Sequence, residues 1–190
     1  MGFCALSDVP HPAGRSQDGR YDRKTITLHW LVAVGVLAQW LGAHAIDWFP
    51  KGPLRVDARS IHIVVGVLLV IALTYRVLWR RTHGTRFRNA KPAVSDHLAS
   101  LVHLSLYALL IAVLILGAFN TWVRGDDVFG LFHLPKYGSF TQDGRHALSQ
   151  QVVGLHRLAA NALLILAGGH AAAGLYHFSV LRDRVFQRML

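Results

Sequence analysis

The sequence has one cysteine, Cys4, and no glutamate, so its acidic charge rests on ten aspartates. A single thiol cannot close an intrachain disulfide, build a zinc–thiolate site or hold an iron–sulfur cluster. Charge of either sign is scarce, at 16% of residues against 53% hydrophobic, and the mean hydropathy is positive at +0.34. This is the composition of a membrane protein. The charge that remains is mostly basic, with a net value of +10. Its arginines and lysines lie between and beyond apolar stretches instead of forming one patch, which is the distribution that membrane topology produces; no nucleic-acid partner is expected.

Four stretches reach the length of about 20 predominantly apolar residues that a membrane-spanning helix needs. They run from about Ile26 to Ile46, Ser60 to Trp79, Leu98 to Val123 and Gln151 to Leu181. The expected fold is an all-α, integral membrane four-helix bundle with both termini on one side. Twelve Lys and Arg fall on the termini side (Arg15, Arg20, Arg23, Lys24; Arg80, Arg81, Arg86, Arg88, Lys91; Arg182, Arg184, Arg188) and six on the other (Lys51, Arg55, Arg59, Arg124, Lys136, Arg145). The positive-inside rule therefore predicts cytoplasmic N- and C-termini in a multi-pass membrane protein.

Residues 1–24 lack a secretory apolar core and read as a mobile cytoplasmic extension; residues 25–190 read as one transmembrane domain. The longest connection, from about Arg124 to Ser149, contains Phe129, Leu131, Phe132, Leu134 and Tyr137 and is expected to fold over the outer face. Trp48, Phe49, Trp79 and Trp122 fall at span ends, as an interfacial aromatic belt would.

Twelve histidines are present, and His29, His62, His156 and His170 lie within the long apolar stretches. Ionisable groups at such depth are rare and costly, and they are usually functional. The fourth span is the most informative, because His156 and His170 are fourteen residues apart. That interval is about 21 Å of helix and close to four full turns, so both rings leave one face at two depths. Iron in haem is the leading partner for such rings, and one site cannot use both. Matching depths pairs His62 with His156 on the outer side and His29 with His170 on the inner side. His44 and His103 also lie in spans, and spacing alone leaves them open as ligands. Bis-histidine ligation leaves no open iron position and suits electron transfer.

Basic side chains add two features. Arg76, near the inner end of the second span, suits a haem propionate or snorkels to the interface; Arg157 beside His156 has the same two readings. Lys51, Arg55 and Arg59, just before His62, form a collar that anchors propionates, attracts a small anion or is simply solvated. His103 is a candidate for a quinone or water path on the cytoplasmic side.

Several short motifs recur in order through all four spans: Thr27-Leu28-His29-Trp30, Pro50-Lys51-Gly52 leading through Arg59 to His62, the Arg76 to Arg80 region, Arg124-Gly125, Leu155-His156-Arg157, and Gly169-His170-Ala171-Ala172. In these the chain resembles the bacterial cytochrome b561 family from about Arg23 to the C-terminus. The resemblance implies a four-helix membrane cytochrome with two non-covalent b-type haems and places the ligand pattern on His29, His62, His156 and His170, and not on His44 or His103. Members pass electrons between quinone and a partner on the other membrane face, and one branch oxidises superoxide and reduces ubiquinone. The collar suits that branch. The expected function is electron transfer between a periplasmic donor, superoxide or a periplasmic redox protein, and the quinone pool. Two alternatives stand beside it: a cytochrome b anchor for a periplasmic dehydrogenase or hydrogenase, and a non-haem transporter or structural bundle.

Overall fold

The computed structural model describes residues 20–83, 94–182 and 186–189. The first nineteen residues of the expected extension, the second-loop cations Arg86, Arg88 and Lys91, and Arg184 lie outside the described residues. Four long helices dominate: α1 (Arg23–Ile46), α2 (Pro53–Thr82), α3 (Val94–Arg124) and α4 (Gln142–Tyr176). A small antiparallel hairpin, β1 (Asp127–Val128) with β2 (Phe132–His133), interrupts the α3–α4 connection, with Asp127 opposite His133 and Val128 opposite Phe132. After α4 come a π-helical turn, His177–Leu181, and a 3-10 turn, Phe186–Met189. All four helices are long and apolar enough to cross a bilayer, as the four apolar stretches predict.

Local sequence sets the start of three of the helices. Asp22 accepts from the Thr25 backbone N–H at 2.9 Å and from the Thr25 hydroxyl at 2.7 Å, so α1 begins at Arg23, ahead of the first apolar residue. Pro53 opens α2, where its missing N–H is no loss. Thr141 caps α4 by accepting from Gly144 N–H at 3.2 Å. That cap moves the start of α4 nine residues ahead of the span expected from Gln151, because the polar turn Gln142–Gln150 is helical although it is too hydrophilic to register as part of the span.

Packing is strongest within the pairs α1/α2 and α3/α4 and sparse between α2 and α3. Small residues permit the close approach inside the first pair, where a Cβ on Gly35 would lie only 2.7 Å from Leu69 Cδ2. Large apolar side chains such as Leu31, Leu68, Leu104, Leu158 and Ile165 remain exposed, as expected of lipid-facing surface. The buried core is correspondingly thin. Val32, Leu73, Leu110 and Leu163, one from each helix, form its centre. Leu163 lies seven residues from His156 and seven from His170, so this apolar layer sits between the two histidine levels on α4.

Both ends of the bundle are tied by polar contacts. At one end the two termini meet: Tyr21 N–H donates to Arg188 O at 3.1 Å, Trp30 Nε1 to Met189 O at 3.0 Å, and Trp79 Nε1 to Asp22 Oδ1 at 2.8 Å. At the loop end, Asp47 pairs with Arg55 and with Arg157 (3.2 Å), while Asp126 pairs with Arg59 and Arg124, both at 3.3 Å. Arg145 donates to the carbonyls of Val123, Tyr137 and Gly138 at 2.9, 2.9 and 3.1 Å. The α3–α4 connection is thus folded onto the bundle. Ser60 fastens it to α2: its hydroxyl bonds to Val56 O (2.9 Å) and Asp127 O (3.3 Å) and accepts from Phe129 N–H at 3.1 Å. The latter bond holds a turn in which Phe129 (φ 55°) and Gly130 (φ 70°) both adopt left-handed backbone, a conformation that costs a non-glycine residue about 1–2 kcal/mol.

Ser60 is fully buried, and replacing it with Ala strands the Phe129 N–H. Ser60→Ala should cost about 1–3 kcal/mol, read as a lower thermal midpoint in detergent together with faster proteolysis between residues 125 and 141. An unchanged cleavage rate would show that the hairpin is held by other contacts.

Candidate functional site: two histidine levels between helical hairpins

Two pairs of imidazoles face each other across the boundary between the helical pairs. At the termini end, His29 of α1 and His170 of α4 have ring centroids 6.5 Å apart with planes at 81°. At the loop end, His62 of α2 and His156 of α4 have centroids 6.3 Å apart with planes at 80°. In both pairs one ring comes from α1/α2 and the other from α3/α4. The fourteen-residue interval on α4 supplies one ring to each level.

The histidine at the loop end has a defined tautomer. His156 Nδ1 lies 3.0 Å from Val113 O. A carbonyl oxygen only accepts, so Nδ1 carries the proton and Nε2 keeps a free lone pair. This is the usual arrangement of a metal-binding histidine, where the second ring nitrogen donates to backbone or carboxylate and fixes ring orientation. Gly117, one turn further along α3, allows the ring to come this close, since a Cβ there would lie 3.1 Å from His156 Cε1. The partner, His62, has a buried Nδ1 with no hydrogen-bond partner among the described residues. Its backbone carbonyl accepts from Gln39 Nε2 at 2.8 Å, which ties α1 to α2 at this level. Trp40 Nε1 donates to Asn161 Oδ1 at 2.8 Å and ties α1 to α4 nearby.

The termini end is more crowded. His103 of α3 lies 5.0 Å from His170, closer than His29 does, with planes at 68°. His103 is exposed, whereas His29, His62, His156 and His170 are all half-buried. His44 is also exposed; its Nδ1 donates to Trp40 O of its own helix at 2.8 Å, and its ring lies 4.2 Å from the Trp40 ring. Arg76 is buried at 7% exposure, and its Nε donates to Tyr107 Oη at 3.2 Å. Its Nη1 is buried without a partner among the described residues.

Lys51, Arg55 and Arg59 line one shallow cleft of about 260 Å³ at the loop end, with Gly52 and Val56. The charge there is partly balanced, because Arg55 pairs with Asp47 and Arg59 with Asp126. Lys51 is exposed. Arg157, read from sequence as a propionate contact or a snorkelling cation, instead joins Asp47.

Membership of a known family follows from a match across nearly the whole described chain. The family model for prokaryotic cytochrome b561 matches residues 20–190. The chain belongs to the prokaryotic cytochrome b561 family. Similar proteins include one from Yersinia pestis named probable superoxide oxidase CybB, 28% identical over 174 residues, covering 90% of this chain and 96% of the relative. Cytochrome b562 of Cereibacter sphaeroides is 27% identical over 180 residues, covering 92% and 98% of the two chains. Cytochrome b561 homolog 2 of Escherichia coli (strain K12) is 29% identical over 181 residues, covering 90% and 91%. The protein is therefore a bacterial membrane electron-transfer cytochrome, and family membership implies haem b.

The residues present fit such a group. Rings bound to opposite sides of one metal ion, each with a nitrogen about 2 Å away, have centroids roughly 6 Å apart. Both pairs meet that spacing, and the His156 tautomer leaves a ligating nitrogen available. Tyr107, Gln39 and Gly117 were not singled out from the sequence. Their signals were present but faint: Tyr107 follows His103 by four residues and shares its helical face, and Gly117 follows His103 by fourteen.

Gly117→Val places a branched side chain where the His156 ring lies. The variant should lose Soret absorbance per chain while its far-ultraviolet helical signal stays unchanged. Full wild-type absorbance would mean that the close Gly117–His156 approach is dispensable for binding.

Proposed function

We propose that this protein holds two haem b groups, one between His62 and His156 and one between His29 and His170, and passes electrons from superoxide on the periplasmic face to ubiquinone. The observation that carries the reading is the repeated pair: two imidazoles from opposite helical hairpins, 6.3 and 6.5 Å apart, at levels separated by four turns of α4. Haem b supplies one-electron redox chemistry, which matches a one-electron donor to a two-electron acceptor.

The chain's own residues hold, orient and shield. His156 is oriented through Val113 O, and the Val32, Leu73, Leu110 and Leu163 layer keeps water and ions from the space between levels. His62 with His156 and His29 with His170 would hold one group each, and a pair of histidine ligands suits electron transfer better than oxygen binding. The excess of Lys and Arg on the termini side supports a cytoplasmic placement of both termini, with residues 25–190 as a single domain. The loop end then faces the periplasm, where exposed Lys51 and the neighbouring Arg55 and Arg59 attract a small anion. Two superoxide ions each give up one electron and leave as dioxygen; one quinone gains those two electrons and takes up two protons. Arg76 is the proposed contact for a propionate of the inner haem. His103, exposed on α3 and 5.0 Å from His170, is the proposed quinone contact.

Pyridine haemochrome analysis of the purified chain should give two haems, with His62→Ala and His170→Ala each removing a different one. One haem, or none, would overturn the proposal. Stopped-flow mixing with superoxide should reduce ubiquinone with this chain alone; a tightly bound catalytic partner together with no superoxide oxidation would instead assign it as an anchor subunit. Lys51→Glu should lower the bimolecular rate with superoxide and flatten its dependence on ionic strength, since steering by charge is screened by salt.

A further inference from the structure

Arg76 lies fourteen residues after His62 on α2, the same interval that separates His156 from His170 on α4. It therefore shares the His62 face of α2, one level deeper, which is the level of His29 and His170. A guanidinium at that depth is buried and has no acidic partner among the described residues. Its only side-chain hydrogen bond there is Nε to Tyr107 Oη, and Nη1 has no partner. A buried cation with an unmade bond is expensive to keep, and a carboxylate is the group that relieves it best, through the two-pronged geometry of guanidinium.

Tyr107 completes such a site. Its oxygen accepts from Arg76, so its hydroxyl proton remains available to donate. The guanidinium and the phenol together offer N–H and O–H donors to one carboxylate. We infer that Tyr107 is a positioning residue that holds Arg76 against a propionate of the haem at the His29–His170 level and so raises that haem's reduction potential over that of its neighbour. This rests on the two-haem reading of the preceding section. Adding one electron makes the bound group more negative by one charge, and a fixed cation in a low-dielectric setting favours the more negative state. At the loop end the arginines are compensated, Arg55 and Arg157 by Asp47 and Arg59 and Arg124 by Asp126, whereas Arg76 has no acidic partner among the described residues. The two levels therefore differ in uncompensated buried charge, and electron flow from the loop end to the termini end follows from the difference.

The test is a spectroelectrochemical redox titration of the full-length holoprotein and its Tyr107→Phe, Arg76→Gln and Arg76→Lys variants. The component of the titration that His170→Ala removes should move to more negative potential in Tyr107→Phe and further in Arg76→Gln, with partial recovery in Arg76→Lys; the other component should stay in place. Tyr107→Phe keeps the ring and its packing, so it should bind both haems. Loss of the inner haem in Arg76→Gln also supports the anchoring role. A wild-type titration for Tyr107→Phe with two haems bound overturns the inference and leaves the two-haem reading intact, as does an equal shift of both components. Fewer than two haems in the wild-type protein overturns the two-haem reading itself.

Discussion

Polar rings and cations inside a bilayer must have partners, because no bulk water is available to solvate them. The rest of this bundle is arranged around that constraint. Where the chain can supply the partner itself, it does so: Val113 O for His156, Trp40 O for His44, Asn161 for Trp40, Tyr107 for one edge of Arg76. Within the spans, among the described residues, an unmet bond is left at His62 Nδ1, in the loop-end pair, and at Arg76 Nη1; two more, at Asp127 Oδ1 and Gln187 Oε1, lie outside the spans. The haem groups proposed above would adjoin His62 and Arg76.

The same constraint explains why the helices pack unevenly. A bundle held together only by helix contact would close its centre with interlocking side chains. Here each hairpin packs internally and the two meet through one thin layer, Val32, Leu73, Leu110 and Leu163, with histidine pairs above and below it. Polar clamps at the ends and beside the pairs carry much of the registration between hairpins: Ser60 with the β-hairpin, Arg59 with Asp126, Asp47 with Arg157, Trp40 with Asn161, Arg76 with Tyr107. Such a frame fixes the spacing across each level without filling it.

Much of the fold could be read from the sequence, for reasons particular to membranes. Apolar runs of about 20 residues have few soluble interpretations, so the four helices were visible as runs. Their ends were not. Asp22 and Thr141 extend α1 and α4 into polar sequence by capping, a local hydrogen-bond effect that hydropathy does not register. The histidines of α4 were legible as one face at two depths because a helix converts residue spacing directly into angle and rise. Their partners on other helices were accessible only through assumed matching of depth, and a resemblance was needed to prefer His29 and His62 over His103 and His44. The positions of these rings give the comparison physical content: His29 and His62 lie across from α4 at 6.5 and 6.3 Å, His44 turns back to its own helix, and His103 sits beside His170 on the exposed side.

What the sequence determined by itself is whatever depends on one segment at a time: four spans, a basic balance, one cysteine, and two rings on a common face of α4. Tertiary structure decided everything that depends on two segments meeting. It set the approach of Gly117 to His156, the seam between hairpins, the capture of Arg157 and Arg55 by Asp47, and the bond from Arg76 to Tyr107. Periodicity within a helix is a property of the backbone and travels with the sequence, whereas the angle at which one helix meets another is fixed only when side chains from distant segments compete for the same space.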